Sequence, residues 1–69
     1  MHYKDAKMLL WDHDISCVVR FNVARKPIAI DIWVTTLSTY LPFATINDNG
    51  CIDEEASKTL DLLPDTRKG

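Results

Sequence analysis

The chain of 69 residues has room for one domain, near the size at which a hydrophobic core only just offsets the entropy lost on folding. An apolar content of 46% is too high for a disordered protein, so we expect residues 1–69 to fold as a single small domain with a frayed tail at 65–69. A formal net charge of −2 argues against a general attraction to nucleic acid or to an anionic membrane.

The cysteine content and the first residues indicate a cytoplasmic protein. Two cysteines, Cys17 and Cys51, are fewer than small secreted scaffolds usually carry, and the opening Met-His-Tyr-Lys-Asp lacks the apolar core of a signal peptide. No apolar run approaches the roughly 20 residues that span a bilayer. We therefore expect both thiols to be reduced and to fill apolar space.

The first third of the chain fits helix and strand patterns almost equally well. Residues 2–13 show both periodicities, and Asp14 is a candidate cap for the element that follows. Ile15–Ala24 is ambiguous in the same way. The connection at 24–27 has no Asn-Gly or other glycine-containing turn, which favours a helix, and a hairpin with a looser loop is the alternative.

The longest apolar-patterned run, Pro27–Leu41, predicts a short extended segment followed by a helix. Pro27–Ile30 is extended, because Pro27 disfavours helical geometry before it. A helix of about ten residues then begins at Ile32, with Asp31 as its N-cap, and Pro42 ends it.

The last third of the chain carries the clearest local signals. Phe43–Ile46 reads as extended, and Asn47–Gly50 predicts a turn because Asn and Gly tolerate positive φ. Asp53–Leu63 predicts a helix with acidic residues in its first turn, ended by Pro64. The predicted fold is mainly α, a small domain of three to four helices with a short extended segment. The alternative is an α+β fold with a hairpin at 15–34.

The arrangement of a helix, the segment Arg-Lys-Pro-Ile-Ala-Ile-Asp and a second helix, over Ile15–Leu41, is similar to the opening of winged-helix and helix-turn-helix domains. This resemblance implies a DNA-binding transcriptional regulator whose next helix offers basic or amide side chains to base edges. Asp53–Leu63 instead carries four acidic residues and one lysine, which disfavours nucleic acid as a partner. In this alternative function, Arg20, Arg25 and Lys26 would contact phosphates.

Neither a metal site nor an active site emerges from the residue spacing. Trp-Asp-His-Asp at 11–14 reads as a polar loop, because adjacent residues rarely chelate one ion together. The segment 45–56 partly matches a calcium loop, but it has Thr45 and Ala56 where the anionic ligands belong. The chain also lacks a nucleophile elbow or a phosphate-binding glycine loop. We therefore expect no enzyme activity, no cofactor and no metal.

The remaining feature is a large aromatic content for so small a domain. Exposed aromatic groups mark protein interfaces, so we predict a small non-enzymatic protein–protein interaction module. The expected partner is another protein or a second copy in a homodimer, and the expected role is that of an inhibitor or adaptor from a phage or mobile element. The candidate contact residues are Trp33, Tyr40 and Phe43, with Arg25 and Lys26 at the rim.

Overall fold

The computed structural model describes residues 1–63, which form an α+β fold. In chain order the elements are helix α1 (Tyr3–Asp12), strand β1 (Cys17–Phe21), strand β2 (Pro27–Val34), strand β3 (Thr39–Thr45) and helix α2 (Glu54–Asp61). The strands make one antiparallel sheet in the order β1-β2-β3. The mainly helical fold predicted from the sequence is therefore wrong, and the hairpin weighed as its alternative is present as β1 and β2. The predicted tail at 65–69 and the helix stop at Pro64 lie outside the described residues.

The segment predicted as a helix at Ile15–Ala24 is strand β1 and the start of a hairpin turn. The turn closes without glycine because Arg25 adopts a left-handed conformation with φ of 63°. The N–H of Asn22 donates to the carbonyl of Lys26 at 3.0 Å, and the N–H of Lys26 donates to Oδ1 of Asn22 at 3.0 Å. Asparagine side chains often stabilise turns in this way. The missing Asn-Gly signal therefore did not exclude a hairpin.

The helix predicted from Ile32 to Leu41 is also wrong, since this segment is the second hairpin. Its β-branched residues favour a sheet over a helix. The turn between β2 and β3 again uses a non-glycine residue in the left-handed region, Ser38 with φ of 50°. Asp31 lies within β2, so it caps no helix, and Pro42 lies opposite it in β3 beside a bulge. A proline is tolerated there because β3 is an edge strand.

Both helices begin and end with local capping interactions. His2 caps α1, since its Nδ1 accepts a hydrogen bond from the N–H of Lys4. Asp14, predicted to cap the following element, instead closes α1 with φ of 58°. The N–H of Asp14 donates to the carbonyl of Trp11 at 3.0 Å, and that of Ile15 donates to the carbonyl of Leu10 at 2.9 Å. These two bonds define a Schellman motif.

The C-terminal predictions are confirmed. The turn at Asn47–Gly50 is present, with Gly50 at φ of 80°. The helix predicted over Asp53–Leu63 is present as α2, which is shorter, since it spans Glu54–Asp61 with Asp53 as its N-cap. The extended assignment of Phe43–Ile46 is confirmed up to Thr45, where β3 ends.

The hydrophobic core lies between the two helices and one face of the sheet. It joins buried residues of α1 and α2 to inward-facing residues of the strands and of the segments that flank them: Ala6, Leu10, Cys17, Ile30, Ala44, Ile46, Ile52, Ala56 and Leu60. Since alternate strand residues point to opposite faces, the second face of the sheet is left uncovered by either helix.

Candidate protein interface

The uncovered face of the sheet brings together side chains from all three strands. Cys17 and Ile30 belong to the core, so their strand neighbours point away from the helices. Cross-strand pairing places Val18 beside Asp31 and Trp33 beside Tyr40. We call this surface the open sheet face, and it comprises Val18, Arg20, Asp31, Trp33, Tyr40 and Pro42.

Trp33 and Tyr40 form an aromatic pair at one end of the open sheet face. Their ring centroids are 5.1 Å apart and the rings meet edge to face, with an interplanar angle of 68°. Such a pair is stabilising because the positive edge of one ring meets the negative face of the other. Trp33 remains 38% exposed and Tyr40 42% exposed. The pair is therefore an exposed apolar surface on the sheet.

A charged pair lies in the middle of the open sheet face. Nε of Arg20 lies 3.7 Å from Oδ2 of Asp31, and the side chain of Asp31 is only 13% exposed while that of Arg20 is 60% exposed. Within residues 1–63, Oδ1 of Asp31 is a buried atom without a hydrogen-bond donor. An unpaired buried acceptor costs free energy, and Oδ1 has no hydrogen bond that offsets its burial.

The structure brings together only some of the predicted contact residues. Phe43 is half-buried and packs against the core. Arg25 and Lys26 lie in the turn before β2, whereas Trp33 is near the other end of that strand, about 20 Å away at about 3.3 Å per residue. The predicted basic rim is therefore remote from the aromatic pair.

A second apolar surface, which the sequence did not reveal, runs between α1 and the outer edge of β1. We call it the edge groove. It is a cavity of about 660 Å³ whose lining includes Lys4, Lys7, Met8, Trp11, Val19 and Phe21. Trp11 is 52% exposed, and Nζ of Lys7 lies 4.8 Å from the centre of its ring. Along α1, Lys4, Lys7, Met8 and Trp11 follow one another at intervals of three or four residues between neighbours on the same face, and this spacing is the only sequence signal that they share a face.

The basic residues considered for phosphate contacts lie near one another at the turn end of the first hairpin. Arg20 is two residues before Asn22, and Arg25 and Lys26 lie in the turn itself. Arg20 is paired with Asp31, as described above. The helix-turn-helix frame on which the alternative function rested is absent, because Ile15–Leu41 forms strands and turns.

The polar segments weighed as ligand sites have local structural roles. Oδ1 of Asn47 accepts hydrogen bonds from the N–H groups of Asn49 and Cys51, so it organises its own turn. In the part of the chain that the structure describes, no three His, Cys, Asp or Glu side chains are grouped as metal ligands would be. Cys17 and Cys51 are both free thiols.

In comparisons with known proteins, no family model, no curated protein and no solved structure matches this chain. Over residues 1–63, neither helix has the length and apolar character needed to cross a membrane.

Proposed function

We propose that this protein is a non-enzymatic protein–protein interaction module that acts by reversible binding through its open sheet face. The observation that carries the proposal is the exposed edge-to-face pair of Trp33 and Tyr40 on a sheet face without a helix over it. Aromatic side chains of this kind dominate the binding energy of protein interfaces. A binding role of this type suits an inhibitor or an adaptor, and a phage or mobile-element origin stays a prediction.

The first partner we propose is a second copy of the chain, because the open sheet face is complementary to itself. A twofold interface uses the same surface on both copies, so every contact between a residue of one copy and a different residue of the other occurs twice. Arg20 and Asp31 carry opposite charges on the same face, so twofold pairing can bring each copy's exposed Arg20 towards the other copy's Asp31. Two such sheets would stack about 10 Å apart.

The size of the open sheet face sets the expected strength of this association. Three strands spaced about 4.8 Å apart, each about 20 Å long, cover only a few hundred Å². Stable complexes bury about 800 Å² on each partner. We therefore expect a weak, reversible dimer with a dissociation constant in the micromolar range or above.

Sedimentation equilibrium over a range of protein concentrations tests the proposal. We expect concentration-dependent dimerisation that Trp33→Ala abolishes. Trp11→Ala is the matched control, because it removes another exposed tryptophan from a different surface. Far-ultraviolet circular dichroism must show that both variants keep the fold. A wild-type chain that stays monomeric at millimolar concentration, or a dimer equally weakened by the Trp11 variant, contradicts the role of this face.

A further inference from the structure

We infer that the edge groove binds an extended peptide of alternating apolar and acidic residues, which pairs with β1 as a fourth, antiparallel strand. The inference concerns the outer edge of β1, away from the aromatic pair of Trp33 and Tyr40, and it does not depend on dimerisation through that pair.

The outer edge of β1 presents backbone groups that are free to pair. The carbonyl of Ser16 accepts a hydrogen bond from the N–H of Trp33, and the N–H of Asn22 donates to the carbonyl of Lys26. Antiparallel pairing alternates along a strand, so Cys17, Val19 and Phe21 direct their N–H and carbonyl groups away from β2. Among the described residues, no turn, loop or cap hydrogen bond of the backbone involves any residue from 17 to 21.

The two edges of the sheet differ in how they are protected. β3 carries Pro42, which has no N–H to donate, and a bulge beside it. Its last residue is covered, because the N–H of Asp53 donates to the carbonyl of Thr45 and the N–H of Thr45 donates to Oδ1 of Asp53. β1 reads Cys-Val-Val-Arg-Phe and has none of these devices before the irregularity at its end. An unprotected apolar edge is a template for strand addition.

The lining of the groove specifies the chemistry of the peptide. Met8, Trp11 and Phe21 are each more than half exposed and would contact apolar side chains of an added strand. Among the described residues, Lys4 and Lys7 are the charged ones that line the cavity.

Alternate residues of an added strand point to opposite faces of the sheet, so the residues between the apolar ones lie beside Val18 and Arg20, whose side chain is 60% exposed. The guanidinium of Arg20, together with the longer-range charge of Lys4 and Lys7, favours acidic residues at these positions. If the β1 edges of two copies paired with each other, Lys4 and Lys7 of both copies would lie close together and repel one another.

Antiparallel addition makes a position-specific prediction about the peptide backbone. Residues that face each other across an antiparallel pair share a face of the sheet. The apolar residues of the peptide therefore lie opposite Cys17, Val19 and Phe21 and exchange hydrogen bonds with them. The N–H groups of the acidic residues point away from β1.

The probe is a fluorescein-labelled seven-residue peptide that alternates valine and glutamate, and its binding to the full chain is followed by fluorescence anisotropy. We expect saturable binding that N-methylation of the valine nitrogens abolishes and that N-methylation of the glutamate nitrogens leaves within about twofold. On binding, the amide signals of Cys17, Val19 and Phe21 should gain protection from hydrogen exchange. Equal binding of the two methylated peptides would overturn strand addition.

Variants of the protein locate the site. Trp11→Ala should weaken binding at least about tenfold, as loss of an interface tryptophan commonly does. The double variant Lys4→Glu, Lys7→Glu should weaken it at least about tenfold at low salt, and less at high salt, where charges are screened. If the Trp11 variant loses the circular dichroism spectrum of the folded protein, the double lysine variant is used in its place to locate the site. Trp33→Ala, on the open sheet face, should bind the peptide as wild type does. Loss of binding only in the Trp33 variant, or a β1-mediated dimer that the peptide does not compete with, would refute the assignment.

Discussion

The imidazole of His2 lies directly against Gly50, so that a β-carbon on Gly50 would come within 2.8 Å of Nε2 of His2. The backbone joins the same two turns, because the N–H of Tyr3 donates to the carbonyl of Gly50 at 2.8 Å. His2 also caps α1 through Nδ1. One glycine therefore connects the first turn of α1 to the turn that precedes α2.

Gly50→Ala should destabilise the protein for two separable reasons. The left-handed backbone at Gly50 costs a residue with a β-carbon about 1–2 kcal/mol, and the contact with the imidazole adds to this. We expect the melting temperature to fall by about 10 °C in thermal unfolding. In a His2→Ser background, which keeps a capping oxygen but removes the ring, the same substitution should cost less. An equal cost in both backgrounds would show that the ring contact is unimportant.

Asp14→Gly should stabilise the protein. Asp14 occupies the left-handed position of the Schellman motif that ends α1, where glycine avoids a steric cost of about 1 kcal/mol. The urea midpoint should rise with an unchanged slope. Asp14→Asn is the matched control, since it removes the charge near the end of the helix and keeps a side chain that tolerates this geometry. If the Asn variant gains as much as the Gly variant, the charge is responsible and the backbone is not.

Asp53 should make the stability of the protein depend on pH in the acid range. Its pKa is lowered from the ordinary 3.8, first by the hydrogen bond from the N–H of Thr45 and further by that from the N–H of Ala56. Between the lowered pKa and 3.8 the unfolded chain binds more protons than the folded one. The stabilisation is therefore complete above this window and is lost as the pH falls through it.

Urea unfolding between pH 2 and pH 7 measures this contribution. Asp53→Ala should cost about 1–2 kcal/mol at neutral pH, since it removes the N-cap of α2 and its link to β3. Asp53→Asn should remove the acid-range slope that belongs to this carboxylate. Asp48→Asn, in the exposed turn before α2, is the control and should leave that slope in place. A slope unchanged by the Asp53 variants would contradict the assignment.

The two cysteines should differ in reactivity. Burial raises the pKa of the Cys17 thiol, and the side chain of Trp11 and the charge of Lys7 offset this only in part. Cys51 is half-exposed. Because the thiolate is the nucleophile, Ellman's reagent should modify Cys51 at least about tenfold faster than Cys17. Cys51→Ser should remove the fast phase, and denaturant should make Cys17 react rapidly. A fast phase that survives in the Cys51 variant would mean that Cys17 is accessible.

The surfaces that bear on function could be only partly predicted from the sequence. The sequence predicts Trp33 and Tyr40 as contact residues, and they lie side by side because a hairpin pairs them. Arg25 and Lys26, predicted at the rim of the same interface, lie beyond the other end of β2, so the length of that strand separates them from Trp33. The sequence does not predict the edge groove, since Met8 and Trp11 come from α1 and Phe21 from β1, and no sequence spacing connects a helix face with a strand edge.

The sequence by itself determined the elements whose stabilising contacts lie within a few residues of one another. Asp53 caps α2 three residues before Ala56, and Gly50 closes the turn that begins at Asn47. Tertiary structure alone decided that residues 15–45 form a sheet. Their periodicity fits helix and strand alike, and their turns use Arg25 and Ser38 in a conformation that local preference disfavours. Pairing between strands and burial of Ile30 under both helices outweigh that local cost. These contacts form only once distant segments have come together, so the local sequence does not show them.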